Sequence, residues 1–145
     1  MPLPEFNPLG DMPPGIHQTS LAEIEARFGS GSPKRKAAAS TLRQIYARVK
    51  ETGQLRRFIV YGSFVTAKPD PNDVDVFLVM GAEFEIDKHA PKDRSIFSHS
   101  DADRVIGASI FWVTERLSPA MVEDFVQGWQ DKREGDRRGI LEIIE

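Results

Sequence analysis

The sequence predicts a single α/β (α+β) domain, in which a mixed, twisted sheet carries helices mostly on one face. Short apolar runs bounded by turn residues are typical of buried strands, and they are interspersed with capped stretches of helical periodicity. A chain of 145 residues suits one domain with its own core. We find no internal repeat, and therefore expect one domain over residues 19–145, preceded by an extended arm over residues 1–18.

Composition excludes several classes of function. The chain has no cysteine, which rules out disulfide scaffolds, thiolate metal sites and thiol nucleophiles. Its net charge of −3 gives no overall attraction for nucleic acid or an anionic membrane, so neither is the expected partner, although charge alone does not exclude nucleic acid. No stretch has the pattern of a signal peptide or a membrane span, and a cytoplasmic protein is the expectation.

The first third of the chain predicts an arm and two helices. Residues 1–18 contain five prolines and two glycines, too many for a helix or a central strand. Apolar residues in this arm favour packing along the domain or a neighbouring subunit, with disorder as the alternative. The SLAE sequence at residues 20–23 is a capping box that opens a short helix. Ser32 followed by Pro33 predicts a second helix, in which the charge run at residues 34–36 reads as a solvated surface, with contact to phosphate or a partner as the alternative.

Two apolar runs in the middle of the chain predict neighbouring strands. Residues 58–61 suit a buried strand that stops at the turn formed by Gly62 and Ser63. The proline-rich loop at residues 69–72 then leads into a second run at residues 76–80. The turn and the loop therefore lie at the same junction in the sequence.

Asp73 and Asp75 stand where the second of these strands begins. Alternate residues of a strand face the same side, so both carboxylates share one face. Like charges this close raise each other's pKa, and burial adds a desolvation penalty. A hard cation such as Mg²⁺ or Mn²⁺ relieves both costs. Because Gly62 and Ser63 can offer N–H and hydroxyl groups to phosphate, the pattern indicates metal-assisted phosphoryl or nucleotidyl transfer.

The sequence YGS at residues 61–63, a spacer of nine residues, and then DVDV at residues 73–76 resembles the signature of the DNA polymerase β-like nucleotidyltransferase superfamily, above all its small minimal members. The resemblance implies a motif core over residues 57–113. The flanking stretches at residues 13–17, 27–29 and 137–140 also resemble an uncharacterised bacterial family of such proteins, which implies no known substrate.

The resemblance implies roles for particular residues. Asp73 and Asp75 would bind Mg²⁺ or Mn²⁺ and act in catalysis, and Gly62 and Ser63 would hold the phosphates of a nucleoside triphosphate. Lys68 is close enough in sequence to add charge there. The acceptor implied by the minimal members includes proteins, as in toxin–antitoxin pairs in which one small partner modifies the other.

A third carboxylate, which the resemblance implies on a later strand, is missing. That strand should be residues 108–113, which contain no acid. Ser109 stands about where an aspartate is expected, and Glu115 could substitute if the strand extends that far. Asp101 and Asp103 read better as the start of a helix. A general base of this kind typically raises the rate ~10²–10⁴-fold. The missing acid therefore leaves the expected fold unchanged, while the expectation of activity stays open.

Other interpretations of the same residues remain. A binding module that keeps the nucleotide pocket or only its shape, such as an antitoxin-like partner protein, is favoured by the missing acid and opposed by Asp73 and Asp75. A glycosyltransferase that uses Asp-x-Asp for a sugar nucleotide is disfavoured by the short chain. Simplest of all, Asp73 could be a turn residue and Asp75 a solvent-facing residue of an edge strand.

The last third of the chain predicts alternating helices and strands. Residues 93–107 favour a helix that is interrupted near residues 98–100, and residues 108–113 favour a strand. Ser118 and Pro119 repeat the cap-and-proline start of a helix, and residues 139–144 predict a final strand. The charged loop before that strand reads as solvated, with contact to an anionic ligand as the alternative for its arginines, Arg133, Arg137 and Arg138.

Overall fold

The computed structural model of the protein describes residues 3–89, 94–132 and 135–144. Its regular elements are, in chain order, β1 (Ile16–Thr19), α1 (Leu21–Phe28), α2 (Pro33–Glu51), β2 (Leu55–Tyr61), β3 (Val74–Met80), β4 (Ala108–Thr114), α3 (Pro119–Gly128) and β5 (Ile140–Ile143). The strands form one five-stranded sheet in the order β1-β5-β2-β3-β4. Pairing is parallel for β1 with β5 and for β3 with β4, and antiparallel for β2 with β3 and with β5. The predicted α/β domain with a mixed sheet is confirmed.

Three serines begin the three helices, as their spacing predicts. The hydroxyl oxygens of Ser20, Ser32 and Ser118 each accept a hydrogen bond from the backbone N–H three residues later. Such caps satisfy one of the N–H groups that a helix leaves without an intrahelical partner. The local pattern alone was sufficient to locate these helix starts.

The alternation of side chains along β3 divides the core into two layers. Val74, Val76, Leu78 and Met80 are buried in the layer that also holds the apolar residues of α1 and α2. Phe77 and Val79 are buried on the opposite face, against Val122 and Val126 of α3. Helices α1 and α2 therefore share one face of the sheet, and α3 lies on the other.

The segment before β4 is helical but broken. A short 3₁₀ turn at Ser95–Phe97 is followed by a helical turn at His99–Asp101 that continues as a π-helix over Ala102–Ile106. Phe97 is buried and accepts, through its carbonyl oxygen, a hydrogen bond from the indole N–H of Trp112 at 2.8 Å. Seating Phe97 against Trp112 interrupts the helix near residue 98, as predicted. Residue 93, the expected start, lies outside the described residues.

The N-terminal arm packs on the domain over the residues described, 3–18. Met12 is fully buried in the core, and β1 forms an edge of the sheet and crosses the boundary expected at residue 18. Residues 1 and 2 of the predicted arm lie outside the described part of the chain. Within that part, no helix combines the length and apolarity needed to cross a membrane.

Candidate functional site

The pairing of three strands brings the predicted site residues together. Tyr61 of β2 lies opposite Asp75 of β3, and Asp75 lies opposite Ser109 of β4. The turn that follows Tyr61 therefore meets the start of β3 at one edge of the sheet. Because neighbouring strands are about 5 Å apart, residues far apart in sequence become neighbours here.

Gly62 makes the closest approach in this region. Its φ is +80°, and a Cβ built on it would lie 2.0 Å from Asp75 Oδ2 and 2.9 Å from Asp75 Cγ. The carboxylate occupies the space that any other side chain at residue 62 would need. The glycine of the predicted turn is thus required both by its backbone conformation and by its contact with Asp75.

Asp75 is a half-buried carboxylate whose charge is poorly compensated. Burial, and next the charge of Asp73, raise the pKa of Asp75 to about 7, although Arg138 and a hydrogen bond from the Ser109 hydroxyl act in the opposite direction. Burial and the charge of Asp103 likewise raise the pKa of Asp73, against the effects of His99 and Lys68. Neither Asp73 nor Asp75 forms an ion pair with a described residue.

A cavity of about 730 Å³ opens beside Asp75, large enough for a nucleotide. Three cationic side chains line it, together with the Gly-Ser turn and two aromatic rings; the lining residues are Tyr61, Gly62, Ser63, Lys68, Asn72, Asp75, Trp129, Asp131, Lys132 and Arg138. Asp73 precedes β3 and is not among these lining residues. Charge of both signs in one concave site suits a polyphosphate bound together with a metal ion.

Arg35 holds the loop that follows the Gly-Ser turn. Its guanidinium donates to the carbonyl oxygens of Phe64 at 2.9 Å and Thr66 at 2.7 Å, and to that of Lys68. The prediction of a solvated charge run is wrong for this residue, since Arg35 is 7 % exposed. A buried guanidinium bonded to carbonyl oxygens fixes the backbone that carries Lys68 toward the cavity.

Glu115 is not part of the site, contrary to the sequence-based suggestion that it could supply the third acid. It lies beyond the far end of β4 and pairs with Arg56 at 3.3 Å. Strands β3 and β4 are parallel, so β4 leads away from Asp75, and six residues beyond Ser109 correspond to roughly 20 Å. Ser109 does lie beside Asp75, but a hydroxyl cannot supply the missing charge.

Two residues near Ser109 were not assigned to the site from the sequence. His99 Nε2 lies 3.5 Å from Ser109 Oγ, and Asp103 is close enough for its charge to raise the pKa of Asp73. Asp101 instead pairs with Arg104 at 2.7 Å on the surface. Both His99 and Asp103 lie in the helical segment before β4, whose position against the sheet no local pattern reveals.

A column of stacked rings borders the cavity. Trp129 stacks on Tyr61 at 4.4 Å between ring centroids and on Phe111 at 5.4 Å, and Phe111 stacks on His99 at 4.3 Å. Trp129 packs against the apolar residues on the α3 face of the sheet and also lines the cavity. Its buried indole N–H has no hydrogen-bond partner among the described residues.

The donor set at this site fits magnesium bound together with a polyphosphate. Among the residues described, no group of three or more His, Asp or Glu side chains is arranged to hold a metal ion. Asp73 and Asp75 offer two hard carboxylate groups with raised pKa values, and neither group forms an ion pair with the part of the chain that the structure describes. Mg²⁺ commonly takes one or two protein carboxylates and completes its shell with water and substrate phosphates.

Comparison with known proteins gives one match. The model of a family of unknown function (DUF6932) matches residues 4–144 of the chain. No curated protein and no solved structure matched the chain. The family match spans both the arm and the domain, so it includes every residue of the candidate site.

Proposed function

We infer that this chain, which belongs to the DUF6932 family of proteins of unknown function, is a nucleotidyltransferase. It would move a nucleotide from a nucleoside triphosphate to an acceptor hydroxyl with the help of Mg²⁺ or Mn²⁺. The observation that carries the proposal is the contact between Gly62 and Asp75: a half-buried carboxylate, which forms no ion pair with any described residue, lies against a Gly-Ser turn at the edge of a cavity lined by three cationic side chains. The metal ion that accompanies a bound triphosphate would supply the positive charge that Asp75 lacks as a partner.

Different residues of the site would bind the phosphates and the metal ion. Lys68, Lys132 and Arg138 present positive charge to the phosphates, and Ser63 offers a hydroxyl and a backbone N–H beside them. Asp73 and Asp75 would hold the ion. When bound, Mg²⁺ neutralises phosphate charge and orients the triphosphate for in-line attack.

The reaction forms one bond and breaks one. The acceptor oxygen bonds to the α-phosphorus, the bond from that phosphorus to the bridging oxygen breaks, and pyrophosphate leaves. The acceptor proton goes to water, because Ser109 replaces the carboxylate that the resemblance implies. Loss of general-base help costs ~10²–10⁴-fold, so we expect slow turnover.

The test measures binding and transfer separately. Titration calorimetry with ATP, GTP, CTP and UTP in Mg²⁺ gives affinity, and nucleotides labelled at the α-phosphate reveal transfer to the chain itself or to added candidate protein acceptors. We expect Asp75→Ala to abolish both. Glu115→Gln is the matched control, since it removes a carboxylate that lies away from the cavity. Failure of the unmodified protein to bind any nucleotide would reject the proposal.

A nucleotide-dependent binding module is the second candidate. The observation that favours it is Ser109, an uncharged residue paired with Asp75 where a third acid is expected. Such a module would bind a protein partner and use the nucleotide only to set its shape, as an antitoxin-like protein would. Tight nucleotide binding without transfer to any acceptor tested would favour this candidate over the enzyme.

A further inference from the structure

The N-terminal arm contacts both loops that line the candidate cavity. The carbonyl oxygen of Gly10 accepts a hydrogen bond from the backbone N–H of Ala67 at 2.8 Å, in the loop after the Gly-Ser turn. The carbonyl oxygen of Met12 accepts one from Gly139 at 2.8 Å, next to the cavity residue Arg138. Residues 10–12 therefore bridge two loops that are about 70 residues apart in sequence.

Asp11, between these two contacts, is a buried carboxylate. It is 5 % exposed, its Oδ2 accepts a hydrogen bond from Lys132 Nζ at 2.8 Å, and its Oδ1 lies 3.7 Å from Arg138 Nη1. Its backbone is itself fixed, because the Asn7 side-chain oxygen accepts a hydrogen bond from Asp11 N–H at 3.1 Å. Both cations that Asp11 holds also line the cavity beside Asp75.

We propose that Asp11 is a positioning residue, which holds Lys132 and Arg138 on the cavity wall so that they face a bound polyphosphate. The inference rests on the proposed function and adds the N-terminal arm to the nucleotide site. Long cationic side chains are mobile in water, and ordering them on binding opposes affinity. A buried carboxylate that already restrains both side chains removes part of that cost. The Arg138 guanidinium has several N–H donors, so its contact with Asp11 at 3.7 Å leaves others for phosphate.

Charge and position predict opposite effects when Asp11 is neutralised. Asp11→Asn removes a negative charge near the cavity, and electrostatics alone would then tighten the binding of an anionic nucleotide. Loss of positioning would weaken it. We expect calorimetry with Mg·ATP to show a dissociation constant about tenfold higher for Asp11→Asn than for the unmodified protein. The matched control is Glu5→Gln, which neutralises an exposed carboxylate of the same arm.

A double-mutant cycle separates positioning from a general loss of stability. If Asp11 acts in part through Lys132, Asp11→Asn will weaken binding by a smaller factor in the Lys132→Met background than in the unmodified protein, because only the contact with Arg138 is left to lose. Independent losses would multiply instead. All titrations are made well below the melting temperature of each variant. Should Asp11→Asn fail to fold, Asp11→Glu keeps the charge but moves the carboxylate by one methylene, and we expect a several-fold loss of affinity.

The possible results are distinct. If the unmodified protein binds Mg·ATP and Asp11→Asn binds it equally well or more tightly, the positioning role is wrong while the proposed function stands. Multiplicative losses in the double-mutant cycle also overturn it. If the unmodified protein binds no nucleotide, the proposed function fails and this inference fails with it. Weaker binding by Asp11→Asn, with a smaller effect of the same substitution in the Lys132→Met background, supports the role.

Discussion

Gly62 and Asp75 are in a contact that no other residue at position 62 could make, because the Asp75 carboxylate oxygen lies 2.0 Å from where a Cβ would stand. Gly62 directly follows β2 and Asp75 lies in β3, and the antiparallel pairing of these two strands brings the residues together. The contact joins the Gly-Ser turn to the start of β3. Its removal tests both the fold and the candidate site.

Gly62→Ala should destabilise the protein and abolish nucleotide binding. The left-handed backbone at residue 62 costs a non-glycine residue ~1–3 kcal/mol, and overlap with the carboxylate adds ~1–3 kcal/mol unless Asp75 moves away. Urea denaturation gives the change in the free energy of unfolding. Gly53→Ala is the matched control, since φ is +70° there and a Cβ would meet nothing within 4 Å. Equal losses for the two variants would show that contact with Asp75 has no energetic consequence.

Asp75→Asn should stabilise the protein at pH 8. The folded pKa of about 7 lies above the ordinary value of 3.8, so between these values the folded protein binds more protons than the unfolded chain. Stability therefore falls as the pH rises through this window, and the full penalty is present above pH 7. Solvent reduces this penalty, because the carboxylate is only half-buried. We therefore expect Asp75→Asn to raise the free energy of unfolding by ~2 kcal/mol and the melting temperature by roughly 5 °C. The difference between the two proteins should shrink toward pH 4.

Two further measurements give this pH prediction its controls. Asp124→Asn neutralises an exposed carboxylate on α3 and should leave the melting temperature unchanged at both pH values. Addition of Mg²⁺ at pH 8 should raise the melting temperature of the unmodified protein, because a ligand that binds only the folded state stabilises it. The Asp75→Asn variant should respond much less. A similar rise in both proteins would contradict the assignment of Asp75 as a metal ligand.

Those parts of the site that depend on local pattern could be predicted from the sequence. The alternation of residues in β3 placed Asp75 on the face of Phe77 and away from the α2 layer, and the abrupt stop after Tyr61 located the turn at Gly62. Period-two alternation and glycine at a left-handed turn are signals carried by a few adjacent residues. The fold class followed from the same kind of signal.

Residues whose role depends on distant contacts were missed or misplaced. The prediction that Glu115 could supply the third acid was wrong because β3 and β4 pair in parallel, so that β4 leads away from Asp75. No local sequence pattern indicates that pairing. Arg138 and Asp11 come into contact only because the arm packs against the loop before β5. Arg35 is different, since its spacing of three or four residues from Ala38 and Ala39 puts it on the buried stripe of α2. That periodicity could have identified Arg35 as buried.

Arg35→Met should lower the free energy of unfolding by ~3 kcal/mol. The substitution leaves the buried carbonyl oxygens of Phe64 and Thr66 without their donor, and each such loss costs ~1–3 kcal/mol, partly offset by apolar contacts of the methionine. Urea denaturation measures the change. Lys34→Met provides the control, because Lys34 is exposed and its ammonium group donates a hydrogen bond to the Asn72 side chain at 3.3 Å. A loss no larger than that of the control would mean that Arg35 does not hold the loop.

Ser109→Asp should raise the rate of nucleotide transfer and the affinity for Mn²⁺, because residue 109 lies opposite Asp75 across the parallel pairing of β3 and β4. An added carboxylate there would complete a three-acid site, and general-base help suggests an increase on the order of 10²-fold in rate. Without metal the third negative charge should lower the melting temperature. Ser109→Ala, which removes the hydroxyl that bonds to Asp75 and lies 3.5 Å from His99 Nε2 but adds no carboxylate, is the control and should not raise the rate. If the transfer rate and the Mn²⁺ affinity of Ser109→Asp stay at the level of the unmodified protein, a missing third acid is not what limits transfer, and the binding module is favoured over the enzyme.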